Sequence, residues 1–289
     1  MNWLNALIQG VLLGGLYALS ATGLSLLFGV MGAINLAHGD LAVVAAYLAI
    51  VAIPLITLPP LLAVLVVVPA FFVLGYVGQR TLIQAALDRG PLTTLIVTFG
   101  LSVVIQNALL EVFSADSHSI DIGSLITGAV QINDQISIAY LSLGVFVVAV
   151  LVLGSLAWYL GRTSTGRLIR AVAADREAAQ LSGVRYRHVF GIAAALALVT
   201  VALAGLAFGM YSSFGPASGP TRLIFAFEAV VIGGLGSLWG TLVGGIVLGV
   251  AQSIGASIDP SFGVLAGHLV FLAVLAVRPQ GLAGGKAFE

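Results

Sequence analysis

Side chains that could perform metal, redox or acid–base chemistry are few in this 289-residue chain. Cysteine is absent, which excludes disulfides and thiolate metal sites. The four histidines lie too far apart in sequence to form a metal-binding motif. The C-terminal segment 281–287 is not a phosphate-binding loop, because Gln280 stands where the first glycine is needed and Ala287 replaces the Ser or Thr. We therefore expect no catalytic site, metal or nucleotide on this chain.

The densest polar group lies in the stretch NLAHGD, which contains Asn35, His38 and Asp40. Ionisable groups within a membrane segment are functional candidates by default. Alternatively, Asn and Asp at a helix start act as N-caps that satisfy free backbone N–H groups. Asn35 and His38 share a face if the segment is helical, whereas Asp40 points elsewhere. A proton relay would need several carboxylates at depth, which this chain does not supply.

Two further ionisable residues, Glu228 and His268, lie in apolar runs near the C-terminus. Glu228 follows Arg222 by six positions, and the pattern favours an ion pair between them over a functional carboxylate. His268 stands alone in the last apolar segment, where a hydrogen bond between helices is favoured over a role as a ligand.

Positive charge is concentrated in residues 161–188, which hold six of the eleven Lys and Arg residues. Asp175 and Glu177 are the acidic residues of this segment. Because cytoplasmic loops of membrane proteins carry the positive excess, the segment is predicted to be a cytoplasmic loop. Residues 168–181 have apolar side chains at helical spacing, which predicts one amphipathic helix that ends before Gly183. Such a helix could lie on the bilayer or dock a cytoplasmic partner.

The composition is that of an integral membrane protein. Hydrophobic residues make up 60% of the chain and charged residues 8%, against about 25% charged residues in a soluble domain. A formal net charge of zero offers no electrostatic basis for binding nucleic acid. Only helices and closed barrels satisfy their backbone within lipid, and the long apolar runs here are typical of helices. The fold class is therefore predicted to be all-α, a polytopic bundle of transmembrane helices.

The apolar runs predict about eight spans plus one half helix, at about 20 residues per crossing. No Lys or Arg precedes the first run, so we expect it to be retained rather than cleaved as a signal peptide. With the basic loop inside, the N-terminus lies outside, the acidic loop 111–135 is external, and the C-terminus with Arg278 and Lys286 is cytoplasmic. Residues 81–91 are predicted to form a cytoplasmic loop, and the half helix is predicted to begin at 223 and end in the break 233–237. The predicted spans are 4–30, 41–53, 61–77, 92–110, 136–160, 189–210, 238–257 and 264–277.

Glycine recurs at every fourth position in several of these spans. Close backbone approach through small residues drives helix association in lipid, so these positions predict helix packing, although some matches will arise by chance among 36 glycines. Glycine-rich breaks at 29–39 and 233–240 are typical of transporters with discontinuous helices. The candidate packing residues are Gly10, Gly14, Gly205, Gly209, Gly236, Gly240 and Gly244, followed by Gly245 and Gly249.

Four stretches resemble the Liv-type branched-chain amino acid ABC transporter permeases, and together they extend over nearly the whole chain. In the basic loop, EAAQLSG resembles the EAA motif of ABC-importer permeases, the helix that sits in a groove of the ATPase; the downstream Ile-x-Leu-Pro is absent. Loop 111–135 is the least recognisable part. The four stretches are GLYALSATGLSLLFGVMGAINLAHGD (15–40), EAAQLSG (177–183), FEAVVIGGLGSLWGTLVGGIVLG (227–249) and AVRPQGLAG (276–284).

The resemblance implies a transport subunit of a bacterial inner-membrane importer rather than an enzyme. Its implied partners are a second homologous permease, two cytoplasmic ATPases and an external substrate-binding protein. ATP and Mg²⁺ would be bound by the ATPases, and no cofactor by this chain. The cargo would be a branched-chain or related small amino acid, passing between the two permeases. Implied coupling residues are Arg170, Asp175, Glu177, Ala178, Ala179 and Gly183, and residues near the translocation path are Asn35, His38, Asp40 and Glu228.

Two alternatives remain at this stage. A self-contained secondary transporter would also contain discontinuous helices, and it would be driven by an ion gradient rather than by ATP. A membrane scaffold would transport nothing. The family resembled includes relatives for other amino acids, amides, urea and aromatic acids, so the exact cargo stays open.

Overall fold

The computed structural model of the protein describes residues 3–56, 59–123, 128–133 and 136–283. Most of this part of the chain is helical, which confirms the predicted all-α class. In chain order the helices are α1 (Trp3–Met31), α2 (His38–Leu55), α3 (Val64–Gly78), α4 (Gln84–Leu87), α5 (Pro91–Phe113), α6 (Tyr140–Arg162), α7 (Ser164–Ala174), α8 (Arg176–Leu181), α9 (Tyr186–Tyr211), α10 (Gly219–Gly233), α11 (Leu238–Ile258) and α12 (Phe262–Val277).

Within the described residues, seven helical segments are long and apolar enough to cross a membrane. The eighth predicted span corresponds to α12, which is apolar but has 16 residues. The predicted half helix corresponds to α10, which has 15 residues. The chain breaks between α10 and α11 because Gly234 and Gly236 adopt φ angles of +108° and +86°, a region that favours glycine.

The third span is longer than the sequence predicted. A 3₁₀ turn (Pro60–Ala63), α3, a π-helical turn (Gln79–Ile83) and α4 form one continuous helical run from Pro60 to Leu87. The predicted cytoplasmic loop 81–91 is therefore mostly helical. Residues 81–87 contain no Gly or Pro to stop the helix, and Gln84 and Ala86 are buried against the bundle.

Two short strands, β1 (Ala129–Asn133) and β2 (Ile136–Ala139), form an antiparallel hairpin that the sequence did not indicate. The fifth span consequently begins at Tyr140 rather than at residue 136. The hairpin lies against α1, where Gln9 Nε2 donates to the carbonyl of Ser137 at 2.7 Å.

The preceding part of loop 111–135 is fastened to the end of α9. His118 and Phe214 exchange backbone hydrogen bonds of 2.8 and 2.9 Å, and Ile120 N–H donates to the carbonyl of Gly209 at 2.8 Å. Ile120 is fully buried there. Residues 124–127 and 134–135 of this loop, and Lys286 of the C-terminal tail, lie outside the described residues.

Helix α1 is the centre of the bundle and packs most closely on α11. A methyl group on Gly14 would lie 2.4 Å from Cα of Ile246, and one on Gly10 would lie 2.6 Å from Cα of Val250. The facing glycines of α11 approach the α1 backbone equally closely. Small residues thus bring two antiparallel backbones into contact, which maximises dispersion contacts where lipid provides no hydrophobic driving force.

The other candidate packing glycines occupy different contacts. Gly205 of α9 lies against the carbonyl of Ala42, and Gly209 lies against Ile120. Gly240 and Gly244 of α11 lie against the backbone of α10. Gly236 was predicted to pack between helices, but it lies in the turn between α10 and α11, because its positive φ is what reverses the chain there.

Candidate functional site

The basic loop forms two helices, α7 and α8, where one helix over 168–181 was predicted. The chain is extended at Asp175, with φ −153° and ψ 104°. The Asp175 carboxylate accepts hydrogen bonds from the N–H groups of Glu177 and Ala178 at 2.9 and 3.0 Å. Because a capping carboxylate satisfies the free N–H groups of a new helix, Asp175 ends α7 and starts α8. Asp175 is therefore an N-cap, and not a residue on the face of a continuous helix.

Helix α7 anchors the loop to the bundle. Ile169 and Val172 are buried in the cluster formed with Leu26 and Leu27 of α1. Arg170 lies in the middle of α7, and its guanidinium donates to the carbonyl of Gly161 at 3.4 Å. Arg170 thus closes the corner between α6 and α7.

Helix α8 is short and mostly exposed. Ala179 is its buried residue, whereas Glu177 and Ala178 are not buried and Leu181 is 91% exposed. Gly183, with φ +83°, ends the turn that follows the helix. Leu181 is thus an apolar side chain that the described bundle leaves uncovered.

Asp88 fastens both ends of α8 to the bundle. Its carboxylate lies 3.0 Å from the guanidinium of Arg176, at the start of α8, and 3.0 Å from that of Arg187, after it. Gln84 Nε2 and the Tyr186 hydroxyl donate to the same carboxylate at 2.9 and 3.3 Å. We call Asp88, Arg176 and Arg187 the Asp88 clamp.

The electrostatics of the Asp88 clamp favour the ionised carboxylate. Partial burial of Asp88 acts to raise its pKa, but the hydrogen bond from Gln84 and the charges of Arg176 and Arg187 outweigh that effect. The pKa of Asp88 is therefore below its usual value of 3.8. The Arg176 guanidinium also lies 4.1 Å above the ring of Tyr186, which holds it in place for the carboxylate.

Asn35, His38 and Asp40, at the start of α2, each contact a different neighbour. Asn35 precedes the helix, and its Oδ1 accepts the N–H of Ala37 at 3.0 Å. His38 is fully buried and its Nε2 lies 2.8 Å from the carbonyl of Ser20 in α1, so Nε2 must be the protonated nitrogen. Asp40 accepts a hydrogen bond from the Ser102 hydroxyl of α5 at 2.5 Å.

Neither Asn35 nor Asp40 is the N-cap of α2, although Asn35 satisfies one backbone N–H group in the turn before the helix. Ala37 occupies the N-cap position of α2 and makes no side-chain cap, while Asp40 lies inside the first turn. Asp40 is buried, and a methyl group on Gly219 would lie 2.0 Å from its Oδ1. Asp40 therefore joins the starts of α2 and α10 to α5.

A cavity of about 340 Å³ lies between the end of α1 and helices α2, α3, α5 and α9. Its lining is apolar except for four side chains, Asn35, Gln79, Thr94 and Thr98. Thr98 accepts the N–H of Leu36 at 3.2 Å, which holds the chain break at the cavity wall. Of the four residues predicted near the translocation path, Asn35 lines this cavity, whereas His38, Asp40 and Glu228 do not.

Glu228 pairs with His268, and the predicted ion pair with Arg222 is wrong. Glu228 is buried and hydrogen-bonds Nδ1 of His268 on α12, the interhelical contact expected for that histidine. Arg222 instead donates to Ser212 at 2.8 Å and lies over the ring of Phe208. Six residues along a helix, at about 100° each, place Arg222 and Glu228 about 120° apart around the axis of α10.

The structure therefore does not bring the four path candidates into one site. It also reveals polar partners that sequence reasoning missed: Asp88, Ser102 and Gln252, which accepts the Tyr17 hydroxyl at 2.6 Å. No local pattern marks them, because their partners are 62 to 235 residues away in the chain. Among the residues that the structure describes, no three His, Asp or Glu side chains come together as a metal site.

The chain is similar to known transport proteins along its whole length. A family model described as branched-chain amino acid transport system, permease component, matches residues 6–277. The high-affinity branched-chain amino acid transport system permease protein BraD of Pseudomonas aeruginosa is 34% identical, covering 100% of this chain and 98% of its own. LivH of Escherichia coli is 27% identical with the same coverage. The fructose import permease protein FrcC of Rhizobium meliloti is 34% identical over 75% of this chain and 62% of its own.

Proposed function

This chain belongs to the branched-chain amino acid transport permease family, and on that premise we propose that it is a membrane-spanning subunit of an ATP-driven importer. The resemblance to Liv-type permeases read from the sequence is thereby confirmed. The proposed cargo is a branched-chain or related small amino acid. This cargo is favoured over a sugar because BraD aligns with the entire chain, whereas FrcC aligns with three quarters of it.

The observation that carries the proposal is the construction of α8. It is a capped helix with an exposed apolar residue, Leu181, held to the bundle at both ends by the Asp88 clamp. A cytoplasmic ATPase subunit that grips α8 would therefore move α9 and the α3–α4 run with it as one body. Glu177 and Ala178 would contact the ATPase, while Asp175 and Arg170 would keep the helix in position.

The translocation path is proposed to involve the chain break before α2. Irregular backbone is tolerated at membrane depth where it lines a cavity, and Asn35 lies at the wall of such a cavity. His38, Asp40 and Glu228 are proposed to act on the path through the helices they join, since all three are buried. A second homologous permease would complete the path, and an external binding protein would deliver the amino acid.

The proposed orientation has the N-terminus outside and the C-terminus in the cytoplasm of a bacterial inner membrane. It is supported by the six arginines of loop 161–188 at the end of the bundle that carries α8. Two ATPase subunits would bind ATP and Mg²⁺ on that side. Single cysteines at Ser117 and Ser182 would then be labelled from opposite sides, and labelling of both from one side would overturn the orientation.

The test uses the chain co-expressed with the products of its neighbouring genes. We expect Leu181→Ser to abolish co-purification of the ATPase and to lower substrate-stimulated ATP hydrolysis by at least tenfold, because loss of a central apolar anchor costs about 2 kcal/mol or more. Leu168→Ser, in α7 of the same loop, is the matched control and should behave as wild type. Uptake driven by an ion gradient in liposomes that contain this chain alone would refute the proposal in favour of a secondary transporter.

A further inference from the structure

A polar cleft lies between the cytoplasm-proximal end of α3 and the start of α9, at the end of the bundle that carries α8. Tyr76 and Arg80 form one wall, and Arg185 and His188 form the other. We call it the arginine cleft. The Tyr76 hydroxyl lies 2.7 Å from Nδ1 of His188 and accepts a hydrogen bond from Arg80 at 3.3 Å. These contacts join the two walls and fix the direction of the Arg80 guanidinium.

The positive charge of the arginine cleft is not balanced by the described side chains. No carboxylate lies among the described residues that line the cleft. Of the acidic residues at this end of the bundle, Asp88 is occupied by Arg176 and Arg187, Asp175 caps α8, and Glu177 does not line the cleft. Among the residues that the structure describes, neither Arg80 nor Arg185 forms an ion pair. Three arginines line the cleft, and two of them, Arg80 and Arg185, face it without an acid, which predicts an anionic ligand.

The position of Arg80 along its helical run places the cleft at a membrane surface. The run begins at Pro60 and continues to Leu87. Twenty residues at about 1.5 Å each separate Pro60 from Arg80, about 30 Å, which is the thickness of the hydrocarbon core. Phe72, Val73 and Val77, which precede Arg80, are exposed on the outside of the bundle, as lipid-facing side chains are. We therefore expect Arg80, one turn beyond Tyr76, at the level of lipid phosphates.

We propose that the arginine cleft binds the phosphate of one anionic phospholipid, held by the guanidinium groups of Arg80 and Arg185. The acyl chains would lie along the exposed apolar side chains of α3. Basic pockets at the cytoplasmic ends of membrane helices bind such headgroups, and a guanidinium matches phosphate geometry better than an ammonium does. An acidic side chain of the ATPase is the competing occupant. The lipid is favoured because one wall of the cleft belongs to the lipid-exposed helix α3. This inference does not depend on the transported substrate.

The test is native mass spectrometry of the full chain, purified with its partner subunits and incubated with phosphatidylglycerol or with phosphatidylcholine of identical acyl chains. We expect the wild-type complex to retain one phosphatidylglycerol in preference to phosphatidylcholine. The double variant R80Q/R185Q should weaken phosphatidylglycerol binding about 30-fold, the equivalent of about 1 kcal/mol for each arginine. Equal retention of the two lipids by the wild type would overturn the proposal.

Two control variants separate the cleft from net charge and from misfolding. Arg89→Gln removes an exposed arginine outside the cleft at the same end of the bundle, and it should bind phosphatidylglycerol as the wild type does. R80K/R185K keeps both charges and should bind within about threefold of wild type. If R80Q/R185Q retains phosphatidylglycerol but loses the ATPase, the cleft receives an acidic side chain of the ATPase and the lipid proposal is wrong.

Discussion

Replacing Asp88 with Asn would test whether the Asp88 clamp holds α8 on the bundle. Asparagine keeps the shape and one acceptor oxygen of the side chain but removes the negative charge that Arg176 and Arg187 share. The bundle itself should stay folded, because Asp88 lies in the turn after α4 rather than among packed helices. The effect should therefore be confined to residues 161–188 and to the ATPase motion that they are proposed to transmit.

The expected loss of stability in D88N follows from the exposure of the three side chains of the Asp88 clamp. Those of Arg176 and Arg187 are 39% and 60% exposed, and that of Asp88 is 25% exposed. The ion pair between Asp88 and Arg176, the less exposed of the two, contributes about 0.2–1 kcal/mol. The substitution also weakens the hydrogen bonds from Gln84 and Tyr186, and an intact hydrogen bond contributes about 0.5–1.5 kcal/mol. The total loss of stability should therefore be about 1–2 kcal/mol. Local opening of the loop should become about 5–30 times more frequent.

Hydrogen exchange measured by mass spectrometry on the purified protein would detect this change. Amides of α7 and α8 should lose about 5–30-fold of their protection in D88N, while those of α1 and α11 keep theirs. Asp259→Asn is the matched control, since Asp259 is another acidic residue outside the spans whose carboxylate accepts hydrogen bonds from Ser261. Protection of α8 that changes by less than about twofold in D88N, or falls equally in D259N, would refute the clamp.

Three further predictions concern pH, packing and the buried pair. Since the pKa of Asp88 is lowered on folding, the clamp stabilises the protein above the unfolded pKa of 3.8 and is lost as pH falls through the lower folded pKa. The difference in Tm between wild type and D88N should therefore be constant from about pH 8 to about 5 and shrink progressively as pH falls below 3.8. Gly14→Leu should lower stability by about 3 kcal/mol or more in thermal unfolding, because its side chain meets backbone of α11, whereas Gly144→Leu, with open space around it, should cost less than about 1 kcal/mol. Glu228→Ala, which leaves His268 without its partner, should cost about 1–3 kcal/mol, and Glu228→Gln should cost measurably less; equal losses would contradict the pairing.

The observed helix ends differ from the predicted ones at two places. The run to Leu87 extends beyond the predicted loop start at 81, because buried Gln84 and Ala86 gain packing that polarity alone does not reveal. The single helix over 168–181 is two helices because Asp175 caps the second one. Aspartate is favoured at a cap over a helix interior, but the spacing of the apolar residues over 168–181 indicated one continuous helix and concealed this local preference.

By itself, the sequence determined the membrane class, the number of apolar runs and the position of the glycine-rich break at residues 233–237. These are local properties: the length of a run is compared with one bilayer thickness, and a cluster of glycines permits the positive φ angles that a chain break requires. Only the tertiary structure decided which ionisable side chains pair with one another. Glu228 faces His268 and not Arg222, and Asp88 collects two arginines that lie 88 and 99 positions away, because the rotation of each helix about its axis is set by packing against its neighbours.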